Sequence, residues 1–508
     1  MLTNAILIAA FFLVTAAIGI YSKKQAQSRD DFVLGGRRVG AWFSAFAYGT
    51  TYFSATIFVG YAGQFGYTFG ISAFWIGIGN ALIGSLLAWV LLGRRTRVMT
   101  KHLCASTMPE FFQRRYDSMA LKLVSSLIII VFLIPYSASV YKGLSELFAS
   151  AFGLDFVWCA VGMALLTCIF VVAGGYMGTA VNNFIQAIIM LVGIVLIVCS
   201  VLSVNGGFMG SIEALSQVQN PAAPEFSGSF TSMFGPDPLN LLSVVLLTSL
   251  GTLGLPQMIH KFYAIKDEAA IKKGTIISTA FAVIVAGGSY FMGGFGRLFT
   301  TPVTESGAVA FDKIVPNMLT ETLGDGSILI GIVLIVVLSA SMSTLASLAL
   351  TASSTAVTDL FKSIRPIKKE SREVLFIRVL CAAFISLSLV LALAPNSMIT
   401  NLMGISWGAL AGSFLGPFLY GLFWRRTTRT AVWTSIVVGV GLVSVNLFFP
   451  FTTSSIAGAG AMILSLILVP LVSLLTPAPK KDVVDFAFSC YDREVVVKSS
   501  SRLENSEK

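Results

Sequence analysis

The chain has 508 residues, 56% of them hydrophobic and only 11% charged, with a mean hydropathy of +0.84. A soluble domain carries about 25% charged residues, so a soluble globular protein is excluded. The net charge of +10 is confined to alternate connecting runs, which excludes a nucleic-acid surface and fits an orientation signal in the cell membrane.

In chain order, thirteen apolar stretches of spanning length are predicted: 2–21, 41–66, 71–93, 119–149, 156–173, 182–203, 240–263, 274–298, 326–360, 372–394, 397–424, 430–449 and 455–476. The chain thus reads as an all-α polytopic membrane protein whose standing partner is the lipid bilayer. No basic segment precedes the first stretch and Lys23-Lys24 follow it, as in a retained first helix with its N-terminus outside. Alternate loops carry Lys23, Lys24, Arg29, Arg37 and Arg38; Arg94, Arg95, Arg97, Lys101, Arg114 and Arg115; Lys261, Lys266, Lys272 and Lys273; Lys362, Arg365, Lys368, Lys369 and Arg372; and Arg425, Arg426 and Arg429. These are expected in the cytoplasm, with the C-terminus. The opposite loops carry Lys313 and Arg297, and 205–239 has no Lys or Arg.

That long loop holds Pro221, Pro224, Pro236 and Pro238 and reads either as a lid or as a spacer. The tail 477–508 is polar, Ser-rich near its end, and expected to be cytoplasmic with a short docked segment. Six scattered cysteines show no metal-ligand spacing or obvious pairing. No nucleophile–base pair, metal motif or phosphate loop argues for an enzyme, and no cofactor is implied. Nothing in the sequence sets the oligomeric state.

Two stretches are interrupted. The second reads Gly49-Thr50-Thr51-Tyr52-Phe53-Ser54-Ala55-Thr56 with Gly60, Gly63, Gly66 and Gly70 after it, and the seventh reads Gly251-Thr252-Leu253-Gly254-Leu255-Pro256-Gln257. They open two successive groups of five spans, and broken helices at matching places in two halves point to a midplane binding site. Because adjacent spans alternate in sense, the two groups would be inverted copies. The expected organisation is an N-terminal helix and inner loop (1–40), a first repeat (41–204), an outer loop (205–239), a second repeat (240–425), two further helices (426–476) and the tail (477–508).

The ninth stretch carries Ser339-Ala340-Ser341-Met342-Ser343-Thr344-Leu345-Ala346-Ser347 in its apolar middle. Hydroxyls are costly there unless partnered. Single Ser and Thr in spanning helices commonly bond back to their own i−4 carbonyl; a run this dense, with a broken helix elsewhere, points instead to neutral oxygens around a small cation. Ala340 and Ser343 share a face at i, i+3 with Thr344 adjacent, so the Ala340 carbonyl and both hydroxyls converge. No acidic residue falls near the centre of any stretch, Glu146 being the deepest, so a proton-driven carrier lacks its titratable group.

These residues carry a resemblance. Ala340-Ser341-Met342-Ser343-Thr344 with Ser347, Ser353, Ser354 and Asp359, Gly174-Gly175 followed by Asn183-Phe184-Ile185-Gln186, Gly421-Leu422-Phe423-Trp424-Arg425-Arg426 and the stretch 50–60 are similar to the sodium:solute symporter family, over nearly the whole chain to about Thr476. The family includes proline, pantothenate, sialic acid and sodium–glucose carriers. The resemblance implies the leucine-transporter type of inverted five-helix repeats, with one extra helix before and two after. It implies sodium held by the carbonyls of Thr50, Phe53 and Ala340 and the hydroxyls of Ser343 and Thr344. In some relatives an aspartate with neighbouring hydroxyls forms a second sodium site; here Asn182-Asn183 stand for Thr-Asp and Ala346 for a hydroxyl. Asn183 and Ser347 then read as the remnant of that site, and one sodium per cycle is expected.

By position, the solute would be lined by Tyr52, Ser54, Thr56, Ile57, Trp75, Tyr136, Gln257 and Trp407. The set is aromatic and hydroxylated, unlike that of sugar carriers, leaving small carboxylates and amino acids. Lys142, four residues before Glu146, reads either as a surface pair on one helix face or as an anion-attracting charge in the outer vestibule. The expected function is sodium-coupled uptake of a small organic solute by alternating access. The alternatives are a carrier of the same fold without sodium, and a non-transporting sensor, which the short tail disfavours.

Overall fold

The computed structural model describes residues 2–22, 29–221, 227–304, 306–324, 327–365, 367, 369–394 and 398–491; Lys23, Lys24, Pro224, Lys368 and the tail beyond 491 lie outside them. Among the described residues the regular elements are helical, with only isolated bridges Val39–Ile265 and Val303–Val309. Side-chain caps start many of the helices: Ser118 before Met119–Phe152, Asp155 before Phe156–Ser203, Asp237 before Pro238–Gly254, Asp267 before Glu268–Ala282, Ser327 before Ile328–Thr355 and Thr428 before Arg429–Phe448. Each accepts a bond from an otherwise unpaired first-turn N–H.

Nine helices among the described residues are long and apolar enough to cross a membrane, or ten if Pro238–Gly254 and Pro256–Ala264, bent by 43°, form one span. The expected stretches 156–173 and 182–203 are joined as one uninterrupted helix of 48 residues, Phe156–Ser203. The expected gap rested on the glycines and Asn182-Asn183 between two apolar blocks. None of these bars a helical backbone as proline does.

Ile328–Thr355 runs through the middle of the bundle, with every residue from Val336 to Thr355 buried. It packs against Leu2–Ser22, Ala41–Tyr52, Met119–Phe152, Phe156–Ser203 and Glu370–Ala392. Ile399–Phe423 is likewise buried along most of its length, against Pro238–Gly254, Arg429–Phe448 and Ser454–Leu475. The outer helices instead expose Leu165, Val192, Ile276 and Val390, an apolar face for lipid.

At one end of the bundle the basic loops interlock. Arg37 donates to the carbonyls of Ala105 and Tyr263, Arg115 to those of Gly421 and Trp424, and Arg429 to that of Tyr116. Arg94 pairs with Glu268 at 3.0 Å. The buried carboxylate of Asp359 lies 3.4 Å from Lys122. A helical segment, 481–491, docks there too: Phe486 places its carbonyl 2.8 Å from His102 Nε2, and Phe488 lies under Arg115. The short docked segment expected in the tail is therefore present.

At the opposite end, the loop 205–239 contributes a helix, Phe208–Ser216, and the buried Phe230. The Arg297 guanidinium is held between the rings of Tyr67 and Phe230, at 4.0 and 3.9 Å from their centroids. The described residues of the loop thus pack on the bundle through Phe230 and Met233.

The second half of the first broken helix, Ala62–Phe69, meets Gly288–Gly293 backbone to backbone. A Cβ on Gly66 would lie 2.2 Å from the Gly293 carbonyl carbon. Gly66→Val is expected to cost at least about 2–3 kcal/mol by overpacking, read as a lowered thermal unfolding midpoint of the detergent-purified protein.

Candidate ion and solute site

The first broken helix stops at Tyr52. Phe53 is extended (φ −81°, ψ 125°), and helix resumes in a wide turn, Thr56–Tyr61. A helix end leaves carbonyls without intrahelical partners. The Ile328–Thr355 helix brings its hydroxyls to that break. Thr344 Oγ1 lies 3.3 Å from the Thr50 carbonyl oxygen, 3.0 Å from that of Thr51, 3.3 Å from that of Phe53 and 3.1 Å from that of Ala340. One hydroxyl has one proton and serves one acceptor at a time. Four carbonyl dipoles therefore point at a spot that a single O–H cannot satisfy, where a small cation would fit.

Ser343 Oγ stands 2.8 Å from Thr50 Oγ1, which itself donates to the Phe46 carbonyl at 2.7 Å. The expected set Thr50, Phe53, Ala340, Ser343 and Thr344 is thus gathered at one buried place. The backbone N–H of Ala55 donates to Ser341 Oγ at 3.0 Å, tying the restart of the broken helix to the same hydroxyl run.

Of the expected solute residues, Tyr52, Tyr136 and Trp407 form one aromatic group. Trp407 lies 5.8 Å from the Tyr52 ring and 5.7 Å, edge to face, from that of Tyr136. The second break reaches this group through Gly251, where a Cβ would lie 2.6 Å from the Trp407 ring. Tyr52 Oη, Ser54 Oγ, Trp407 Nε1 and both amide atoms of Gln257 are buried without a well-formed protein hydrogen bond. Such atoms are rare in native proteins. Thr56 Oγ1 is 3.0 Å from Ser139 Oγ, and Ile57 is fully buried. Trp75 is engaged elsewhere: its indole N–H donates to the Met233 carbonyl in the long loop.

Lys142 acts on Glu146, as expected of a pair on one helix face, and reaches further. Its ammonium lies 4.0 Å from Asp312, a carboxylate beyond its own helix. Burial pushes the Asp312 carboxyl up to about 6, against the opposing pull of Lys142. Lys261, expected in a basic loop, is only 3% exposed on the short helix Pro256–Ala264 and donates to Ser347 Oγ at 2.9 Å. Ser347 Oγ is in turn 3.0 Å from Thr51 Oγ1. Both amide atoms of Asn183 are buried and have no hydrogen-bond partner among the described residues. Sequence reasoning missed Thr51 and Lys261. The available signals were a second hydroxyl directly at the break, and a lysine on a helix that begins at the other break.

Thr344→Val keeps the volume but leaves the converging carbonyls without a donor. The expected cost is about 1–3 kcal/mol, measured by thermal unfolding in choline chloride, and sodium chloride is expected to recover part of it.

The profile of the sodium:solute symporter family matches residues 32–439. A sodium/proline symporter of Staphylococcus aureus (strain JH9) is 29% identical over 454 residues, covering 87% of this chain and 85% of its own length. A sodium-coupled sialic acid symporter, solved substrate-bound and outward-open, superposes with a TM-score of 0.77 at 17% identity, covering 94% of this chain and 98% of that one. A nucleobase-cation-symport-1 family transporter gives 0.55 at 14% identity, covering 91% and 98%. At these identities the two structures establish likeness of fold.

Proposed function

Because this chain belongs to the sodium:solute symporter family, and is a secondary transporter rather than an enzyme, we propose that it takes up a small carboxylate or amino acid together with sodium by alternating access. The observation that carries this reading is the convergence of four carbonyl oxygens on Thr344 Oγ1. Sodium is held by the carbonyls of Thr50, Phe53 and Ala340 and the hydroxyls of Ser343 and Thr344, with the Thr51 carbonyl joining them. Neutral oxygens are enough because the ion brings the charge.

The solute sits against Tyr52, Tyr136 and Trp407, with Ser54 and Gln257 offering buried polar atoms without a well-formed hydrogen bond among the described residues. Helix N-termini at the two breaks suit a carboxylate. Proline, the solute in the staphylococcal relative's name, is the first candidate. With a zwitterionic solute such as proline, one sodium moves one net charge, and the membrane potential supplies about 2.3 kcal/mol per 100 mV, enough for roughly tens-fold accumulation. With a monoanion the sodium concentration gradient alone drives uptake.

The architecture behind this is thirteen apolar stretches, the fifth and sixth lying on the one continuous helix Phe156–Ser203, with 41–204 and 240–425 as inverted repeats of five stretches each and the sites between them. The basic end faces the cytoplasm and the N-terminus lies outside, following the distribution of Lys and Arg.

The deciding experiment is uptake of labelled proline, other amino acids and small carboxylates into proteoliposomes under an imposed sodium gradient. Replacing sodium by choline is expected to abolish accumulation. Ser343→Ala with Thr344→Ala is expected to lower sodium-driven uptake at least tenfold, to the choline background; undiminished accumulation in either case defeats the reading. Exposed Cys104, in the basic-end loop, is expected to react with a membrane-impermeant maleimide in inside-out vesicles and not in right-side-out ones, read by mass spectrometry of its peptide.

A further inference from the structure

Lys261 lies near the ion cage, and the function above does not use its placement. Its side chain is buried in the bundle, and its ammonium meets two things: Ser347 Oγ at 2.9 Å and the ring of Tyr176, 5.3 Å from the centroid. Among the described residues no carboxylate pairs with it. An ammonium so far from water needs oxygen lone pairs or an aromatic face to replace its hydration, and those are also what a hydroxyl-lined alkali-ion site offers.

Its position gives this arrangement a consequence. Ser347 follows Ser343 by one helical turn, and Ser347 Oγ also contacts Thr51 Oγ1 at 3.0 Å. The Thr51 carbonyl in turn lies 3.0 Å from Thr344 Oγ1, at the centre of the ion cage. The ammonium is therefore joined to the cage through two hydroxyls. The helix carrying Tyr176 packs on both Ala41–Tyr52 and Ile328–Thr355. Two turns on from Tyr176, on the same face, stands Asn183, whose buried amide has no hydrogen-bond partner among the described residues.

We propose that the Lys261 ammonium is a tethered cation, filling with its own charge a second cation position formed by Ser347, Thr51 and the Tyr176 ring. The chain thereby carries one mobile sodium where its hydroxyl cluster would otherwise take two. This rests on the sodium reading of the Thr344 cage. The ammonium cannot leave, so it contributes to the field around the cage throughout the cycle without drawing on the ion gradient.

The test uses the full-length purified protein with sodium chloride as the only probe, ionic strength being held with choline chloride. An ion that binds only the folded chain stabilises it logarithmically in its concentration. The slope of the unfolding midpoint against log sodium, at saturating concentrations, therefore counts ions. In Lys261→Ala combined with Asn183→Asp, which opens the position and supplies a carboxylate, the slope is expected to be about twice that of wild type. Lys261→Gln, which keeps the side-chain length and offers a carbonyl oxygen, carries the same expectation if the double variant does not fold. Lys261→Arg is expected to keep the wild-type slope. Unchanged slopes in the folded Ala/Asp or Gln variants overturn the proposal. A wild-type midpoint indifferent to sodium overturns the sodium reading and this proposal with it, whereas a wild-type slope as steep as the variants' overturns only the tethered cation.

Discussion

A helix interrupted inside a membrane protein leaves carbonyls that nothing in hydrocarbon can satisfy, and the rest of this molecule is arranged around that constraint. The break at Phe53 frees the carbonyls of Thr50, Thr51 and Phe53, and the hydroxyl-rich helix is laid against them so that Thr344 stands at their focus. Irregular backbone at membrane depth is tolerated only where protein or a polar cavity surrounds it. The break accordingly lies deep in the bundle, with Phe53, Ser54 and Ala55 almost fully buried.

The same constraint explains the layering. Ile328–Thr355 is enclosed on all sides by other helices, which suits a sequence with hydroxyls spread around its circumference. Small residues let neighbours come close enough to enclose it. A Cβ on Gly143 would lie 3.0 Å from the Ala55 carbonyl oxygen, so the helix Met119–Phe152 presses directly on the restart of the broken helix. The two C-terminal helices stand farther out, closing over Ile399–Phe423, which carries Trp407 to the solute group.

Charge is handled in a graded way. At the basic end Arg425 pairs with Asp485 at the surface, whereas the buried Arg115 donates its guanidinium protons to the carbonyls of Gly421 and Trp424. Asp359 and Lys122 pair where both are buried. Lys261 is carried inward to neutral oxygen and an aromatic face beside the hydroxyl run. The Lys261 contact makes the local chemistry of Ser347 different from that of Ser343, which meets Thr50, although the two hydroxyls are one turn apart on the same helix.

The amino-acid order by itself determined the membrane class, because apolar runs of spanning length admit few alternatives. It also marked where the site was to be sought: the dense hydroxyls at Ser339–Ser347 and the Gly- and Pro-marked breaks are local signals that need no neighbour to be read. Hydropathy misjudged the junction between 173 and 182, because a dip in apolarity is not a break in backbone hydrogen bonding. Tertiary structure decided what lies beside what: Thr51 joining the cage, Lys142 reaching Asp312 and Trp75 turned to Met233. It also moved Lys261 out of the basic loops and onto Ser347. The physical reason is that a long polar side chain takes its partner from whatever packing brings near, and contacts between residues tens or hundreds of positions apart leave no trace in local pattern.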